Sequence, residues 1–186
     1  MGAALVGCSG SAGDERPAAS TGASPSGPPA TSGGSGAAPS STLRPLPPEA
    51  TELSEAGAVA FLEWWVEMYN HVEATGETEL VFEHSEPGCT FCQNFVERVD
   101  PVYAAGGRIE REAPTRFLDI QPEGISPQNA LIVKAGISSG ASLTYGSAGE
   151  LIRSAPADDP PLDVVVGLQW AENRWLVIDV GPEEVT

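Results

Sequence analysis

The sequence predicts an α+β domain: two N-terminal helices packed on a curved, cone-like antiparallel sheet, preceded by a disordered tether. Three observations predict it. Apolar residues recur at helical spacing from Ser54 to Pro101, and the period changes to two after Gly107. Residues 9–43 hold 31 Gly, Ser, Ala, Pro or Thr among 35, a composition that cannot bury a core. Helices first and strands afterwards is the order in which helices cover one face of an antiparallel sheet.

Met1 to Cys8 closes on Leu5-Val6-Gly7-Cys8, an aliphatic, small, then Cys order that matches a bacterial lipobox. The chemistry requires that order. A diacylglyceryl group is placed on the Cys thiol, and the signal peptidase cuts before Cys only where small residues fit its site. Cys8 is the expected lipidation site, and its diacylglycerol lipid is the one non-protein group expected, with no cofactor besides. Only seven residues precede Cys8 and none is Lys or Arg, whereas a full signal peptide has a basic n-region and an apolar stretch of roughly 7–15 residues. A translation start upstream, or a clipped chain, is therefore expected. A chance small-residue N-terminus with a lone Cys is the bland alternative.

Residues 1–8 thus read as a lipoprotein signal remnant, 9–47 as a disordered linker, 48–182 as the globular domain and 183–186 as a tail. As a flexible chain, residues 9–43 have a root-mean-square span of about 30–35 Å, enough to stand a domain off a membrane. Charge is distributed unevenly. Asp14 and Glu15 cancel Arg16 and Arg44, so the net −17 rests on residues 48–186, where 24 acids face 7 bases. That field repels phosphate backbones and excludes nucleic acid as partner. No apolar run reaches the roughly 18 residues of a bilayer-crossing helix. Attachment to the outer face of the cell membrane, outside the cytoplasm, is expected through the lipid on Cys8.

The first helix has Ala58, Phe61, Leu62, Trp65, Met68, Tyr69 and Val72 on one stripe. Ser54 can cap its start, Glu55 suits its first turn and Gly76 can end it. The second opens at Ser85-Glu86-Pro87, carries Cys92, Phe95, Val96 and Val99 as its stripe, and should kink or stop at Pro101. Strands are expected at Arg108–Glu112, Arg116–Gln121, Ala130–Ile137, Ser142–Tyr145, Glu150–Ser154, Leu162–Trp170 and Arg174–Val180. The last two form an antiparallel hairpin around Ala171-Glu172-Asn173.

Cys89-Thr90-Phe91-Cys92 is the motif with chemistry in it. A structural disulfide between Cys89 and Cys92 is the first reading, since thiols oxidise outside the cytoplasm. A loop this small stabilises by only about 2 kcal/mol. The second reading is a thiol–disulfide oxidoreductase with Cys89 as nucleophile at a helix start. Glu83 and Glu86 disfavour a thiolate there, and Glu79 to His84 is a poor buried strand to precede such a site. Zinc held by Cys89, Cys92 and two of His71, His84 or nearby carboxylates is the third, and it lacks a second CxxC. No metal site is expected.

Trp64, Trp65, Tyr69, Trp175 and Asp179 are candidate pocket residues. Trp65 and Tyr69 lie on the helix stripe, and core packing is the simpler use of both. Trp64 lies off it, where an amphipathic ring can serve contacts. Asp179 alternates onto the face of Trp175 and Val177, so it could point inward as a general base; a solvated strand-end Asp is the plainer reading. No catalytic residue is assigned. Phosphate loops, GxSxG and HExxH are absent from the sequence.

Pro48-Glu49-Ala50, Ala56-Gly57-Ala58-Val59-Ala60-Phe61, Thr75-Gly76, Cys89-x-x-Cys92, Gly106-Gly107-Arg108 and Trp175-Leu176-Val177-Ile178-Asp179 resemble a family of actinobacterial lipoproteins with a C-terminal domain of unknown function. The resemblance spans roughly residues 45–181. It implies a cell-surface location and carries over no catalytic residue. The order of elements is similar to the nuclear-transport-factor-2-like, SnoaL-like cones, which implies the curved sheet. The expected function is a membrane-anchored, non-catalytic binding module for an unknown protein or small-molecule ligand. The alternatives are a small-molecule or isomerase-like cone pocket, and a CxxC oxidoreductase.

Overall fold

Ser54 begins the first long helix, α1 (Glu55–Thr75), by accepting a hydrogen bond from the Gly57 N–H at 2.9 Å. Gly76 ends it at φ 81°, a left-handed conformation that glycine adopts without strain. The computed structural model describes residues 42–183. The lipobox, Cys8, residues 9–41 of the linker and residues 184–186 of the tail lie outside the described residues.

A single 3-10 turn (Pro48–Thr51) precedes α1, and two helices follow it: α2 (Glu79–Glu83) and α3 (Thr90–Ala104). Three helices stand where the sequence predicts two. The extra one, α2, replaces the strand that the oxidoreductase reading needed before the cysteines. It docks Val81 into the core with no exposure to water, and tertiary burial of that kind overrides local pattern. Helix α3 runs past Pro101 to Ala104, so proline does not stop it.

The seven expected strands form: β1 (Arg108–Arg111), β2 (Arg116–Ile125), β3 (Ala130–Ser138), β4 (Ser142–Tyr145), β5 (Leu151–Ala155), β6 (Leu162–Ala171) and β7 (Arg174–Pro182). They do not form one curved cone. They divide into two antiparallel sheets, β1-β4-β5 and β2-β3-β6-β7. The break has a local cause. β1 pairs β4 and β2 pairs β3, so the same two stretches of chain would be one long ribbon if the ladder were continuous. Pro114 cannot donate to a ladder. Next to it, Ala113 accepts from the Gly140 N–H at 3.0 Å, and a side chain at 140 would run into the Ala113 backbone. The ribbon bends at this close approach, and each half continues in its own sheet.

The core lies between α1 and one face of the four-stranded sheet. Phe61, Leu62, Trp65, Met68 and Val72 from the helix meet Leu131, Val133, Val166, Leu168, Trp175 and Val177 from the strands. Alternation along β3 and β6 sends these residues inward. Each fully buried large apolar side chain contributes roughly 1.5–3 kcal/mol. The β6–β7 turn uses Glu172 (φ 51°) and Asn173 (φ 60°), the left-handed pair of a two-residue hairpin loop. In β7, Leu168 faces Val177 but Gly167 faces Asp179. Ile178 is the extra residue of a β-bulge. It breaks the alternation that would have put Asp179 on the inward face with Trp175 and Val177.

Candidate functional site

Cys89 is the residue before α3, and its Sγ accepts from the Cys92 N–H at 3.1 Å. The two cysteines are bonded to each other across a Cα–Cα distance of 5.2 Å. Both are withdrawn from water, at 0% and 1% exposure. The bulge at Ile178 delivers Asp179 to the same place. Its Oδ1 accepts from the Phe91 N–H at 3.0 Å and lies 4.0 Å from Cys89 Sγ. Asp179 is therefore an exposed carboxylate that satisfies a free donor of the first turn of α3. A carboxylate beside Cys89 would disfavour a thiolate, and buried sulfurs are hard for another thiol to reach. The disulfide is placed as a staple.

The five candidate pocket residues do not share a cavity. Trp64 donates to the Arg44 carbonyl at 2.9 Å and meets the His84 ring edge-on at 4.7 Å. Trp175 is wholly buried, with its indole N–H on the Glu52 carbonyl at 2.9 Å. Trp65 and Tyr69 do share a void, with Phe91, Phe117 and Val180, but its volume is about 10 Å³, the space of one water. His71 pairs with Glu77 at 3.0 Å, and burial pulls the His84 imidazole below its ordinary pKa. Among the described residues, no three His, Cys, Asp or Glu side chains are placed to share a metal.

A buried ionic network was not read from the sequence. Glu73, 3% exposed on α1, takes Arg111 of β1 in two prongs, at 2.6 and 2.7 Å, and Arg98 of α3 at 3.0 Å. Arg98 also donates to the Tyr69 hydroxyl at 3.1 Å, Arg111 to the Gly140 carbonyl at 2.8 Å, and Tyr103 to the Glu73 carbonyl at 2.7 Å. Burial alone would raise the Glu73 carboxyl. The hydrogen bonds and charge of Arg111, then Arg98, outweigh it and hold the group below its ordinary value. Burial also raises the Tyr69 hydroxyl. The carboxylate is saturated, so the network ties α1, α3 and β1 together and offers no free base. The signal for it was present: Glu73 follows Trp65 and Tyr69 at steps of four, and Arg111 shares the face of buried Ile109.

An open groove of about 380 Å³ lies between α1 and β2, within the volume range of small-molecule sites. One wall is a single stripe of α1: Glu63, Val66, Glu67 and Asn70, at i, i+3, i+4 and i+7. The other wall is the chain from Pro114 to Phe117, with Ile120. Arg44 closes one end and pairs with Glu67. Asn70 holds the walls together: its side-chain N–H donates to the Thr115 carbonyl at 2.9 Å, and its oxygen accepts from the Thr115 N–H at 2.8 Å.

The family of unknown function DUF6318 matches residues 44–181. No curated protein matches the chain. Among solved structures, the crystal structure of the intermembrane space region of chloroplast protein ARC6 is similar, with a TM-score of 0.51 at 9% identity over 70% of this chain and 97% of that one. At that identity the likeness concerns the fold alone. A 2.5 Å structure from Catenulispora acidiphila gives a TM-score of 0.45 at 15% identity, over 71% of this chain and 94% of that one.

Proposed function

The chain belongs to the family of unknown function DUF6318, and from that premise we propose that it is a non-catalytic binding module, held outside the cell membrane by a lipid on Cys8. The observation that carries binding is the groove between α1 and β2, which has the volume for a ligand. The most deeply buried carboxylate, Glu73, is meanwhile consumed in ion pairs and has no capacity left for acid–base work. The location rests on Leu5-Val6-Gly7-Cys8, on the Gly/Ser/Ala/Pro/Thr-rich residues 9–43 that follow it, and on the buried Cys89–Cys92 bond, which belongs in an oxidising compartment. The linker gives the domain reach from the membrane, and the lipid keeps it there.

Fractionation of cells making the chain from its own gene tests this. The wild type should partition with membranes, and its mature N-terminal peptide should begin at Cys8 with the added mass of a diacylglyceryl group. Cys8→Ser should leave the membrane fraction. A wild-type chain recovered from cytosol with Cys89 and Cys92 as free thiols overturns the proposal.

A further inference from the structure

We propose that the groove between α1 and β2 binds a small zwitterion with an apolar body, a molecule of dipeptide size whose ammonium meets Glu63 and whose carboxylate meets Arg116. This rests on the binding-module reading and names the ligand class for it.

The polar side chains that line the groove divide into spent and free. Asn70 is spent. Its amide N–H groups donate to the Val66 and Thr115 carbonyls at 2.8 and 2.9 Å, and its oxygen accepts from the Thr115 N–H at 2.8 Å. Arg44 and Glu67 pair with each other. Glu63 on the helix wall and Arg116 on the facing wall take part in no ion pair among the described residues, with each other or with any third group. The free guanidinium is the unusual one. Residues 48–186 hold 24 acids against 7 bases, so a base in this domain has carboxylates to choose from. Six of the eight bases among the described residues hold one. Arg116 and Arg153 do not, and Arg116 is the one that lines the groove.

That pattern selects the ligand. A simple anion would meet Glu63 and the acidic field of the whole domain. A simple cation would be repelled by Arg116. A molecule that carries both charges answers both groups. Glu63 and Arg116 stand on opposite walls, and Val66, Phe117 and Ile120 supply apolar lining for the body that joins the two charged ends. At about 380 Å³ the groove lies at the small end of ligand sites, which suits a metabolite or a dipeptide and not a folded partner.

The probe is the zwitterionic dipeptide Leu-Phe, titrated near neutral pH into isotope-labelled full chain. Amide shifts should centre on residues 115–120 and on the Glu63–Asn70 stripe. Acetylating the amino group or amidating the carboxylate removes one charge at a time. Each change should weaken binding by about three- to fivefold, the level of a solvent-exposed ion pair. Two variants then read which group meets which end. Glu63→Gln should no longer distinguish the dipeptide from its acetylated form, yet should still favour the free carboxylate. Arg116→Gln should do the reverse. Both positions are exposed, so both variants should fold. Equal binding of the wild type to all three molecules, weakening by one block alone, shifts centred elsewhere, or no shifts at millimolar dipeptide would each overturn the assignment. The fractionation result would stand in every case, so the two readings fail separately.

Discussion

Glu73 and Arg111 meet in a two-pronged ion pair at 2.6 and 2.7 Å, with the Glu73 side chain only 4% exposed. A buried pair of this kind is weak evidence of net stabilisation, yet removing one partner leaves a buried charge uncompensated. Glu73→Ala should cost about 3–5 kcal/mol, because Arg111 and Arg98 lose their shared acceptor. Chemical denaturation gives the number. A loss below about 1 kcal/mol, the level of an exposed pair, would mean that water reaches the site freely.

The same carboxylate sets a pH dependence. Its folded pKa lies below the ordinary 4.5, so the folded protein holds fewer protons on it than the unfolded chain does. Its stabilisation is complete above about pH 4.5 and is lost as pH falls through the lower, folded value. Denaturation midpoints at pH 6 and pH 3 should therefore differ more for wild type than for Glu73→Gln. Parallel losses in both proteins would place the acid sensitivity elsewhere.

Asp179 serves the Phe91 N–H from another element, a cap supplied 88 residues away in sequence. Asp179→Ala should cost about 1 kcal/mol, the usual worth of an N-terminal cap. Asp179→Asn keeps an acceptor oxygen and should cost less. If Asn is as damaging as Ala, charge rather than hydrogen bonding is what this position supplies.

Replacing both Cys89 and Cys92 by Ala should lower stability by about 2 kcal/mol through the freed loop, as read by chemical denaturation. Reduced wild-type protein should behave in the same way. An unchanged midpoint in both would show that the bond is no staple.

Asn70→Ala removes both bonds to Thr115 and should speed hydrogen exchange at Thr115, with a stability loss of about 1–3 kcal/mol for two orphaned backbone groups. Unchanged exchange at that amide would show that the segment is held by its neighbours in β2 instead.

Much of the fold was legible because it depends on period and caps. The Ser54 cap, the α1 stripe, the Gly76 stop and all seven strands follow from local pattern. The features that escaped depend on what lies opposite. Period two within β1 and within β2 says nothing about the bend between them, which needs Gly140 to lie against Ala113, next to Pro114. The bulge at Ile178 adds one residue to an alternating run, and it turned Asp179 from an inward candidate into a cap. The groove joins Asn70 to Thr115, 45 positions apart, so neither residue announces it alone. The Cys89–Cys92 pair was legible because its separation of three is its whole geometry.

Arg44 anchors the chain at the rim of the groove. Its carbonyl holds the Trp64 indole and its guanidinium holds Glu67. Leu43, the residue before it, packs against the core, so a force applied at Thr42 reaches this latch and the edge of the apolar centre together. A pull on that end is thus met at one place by apolar packing, an indole hydrogen bond and an ion pair.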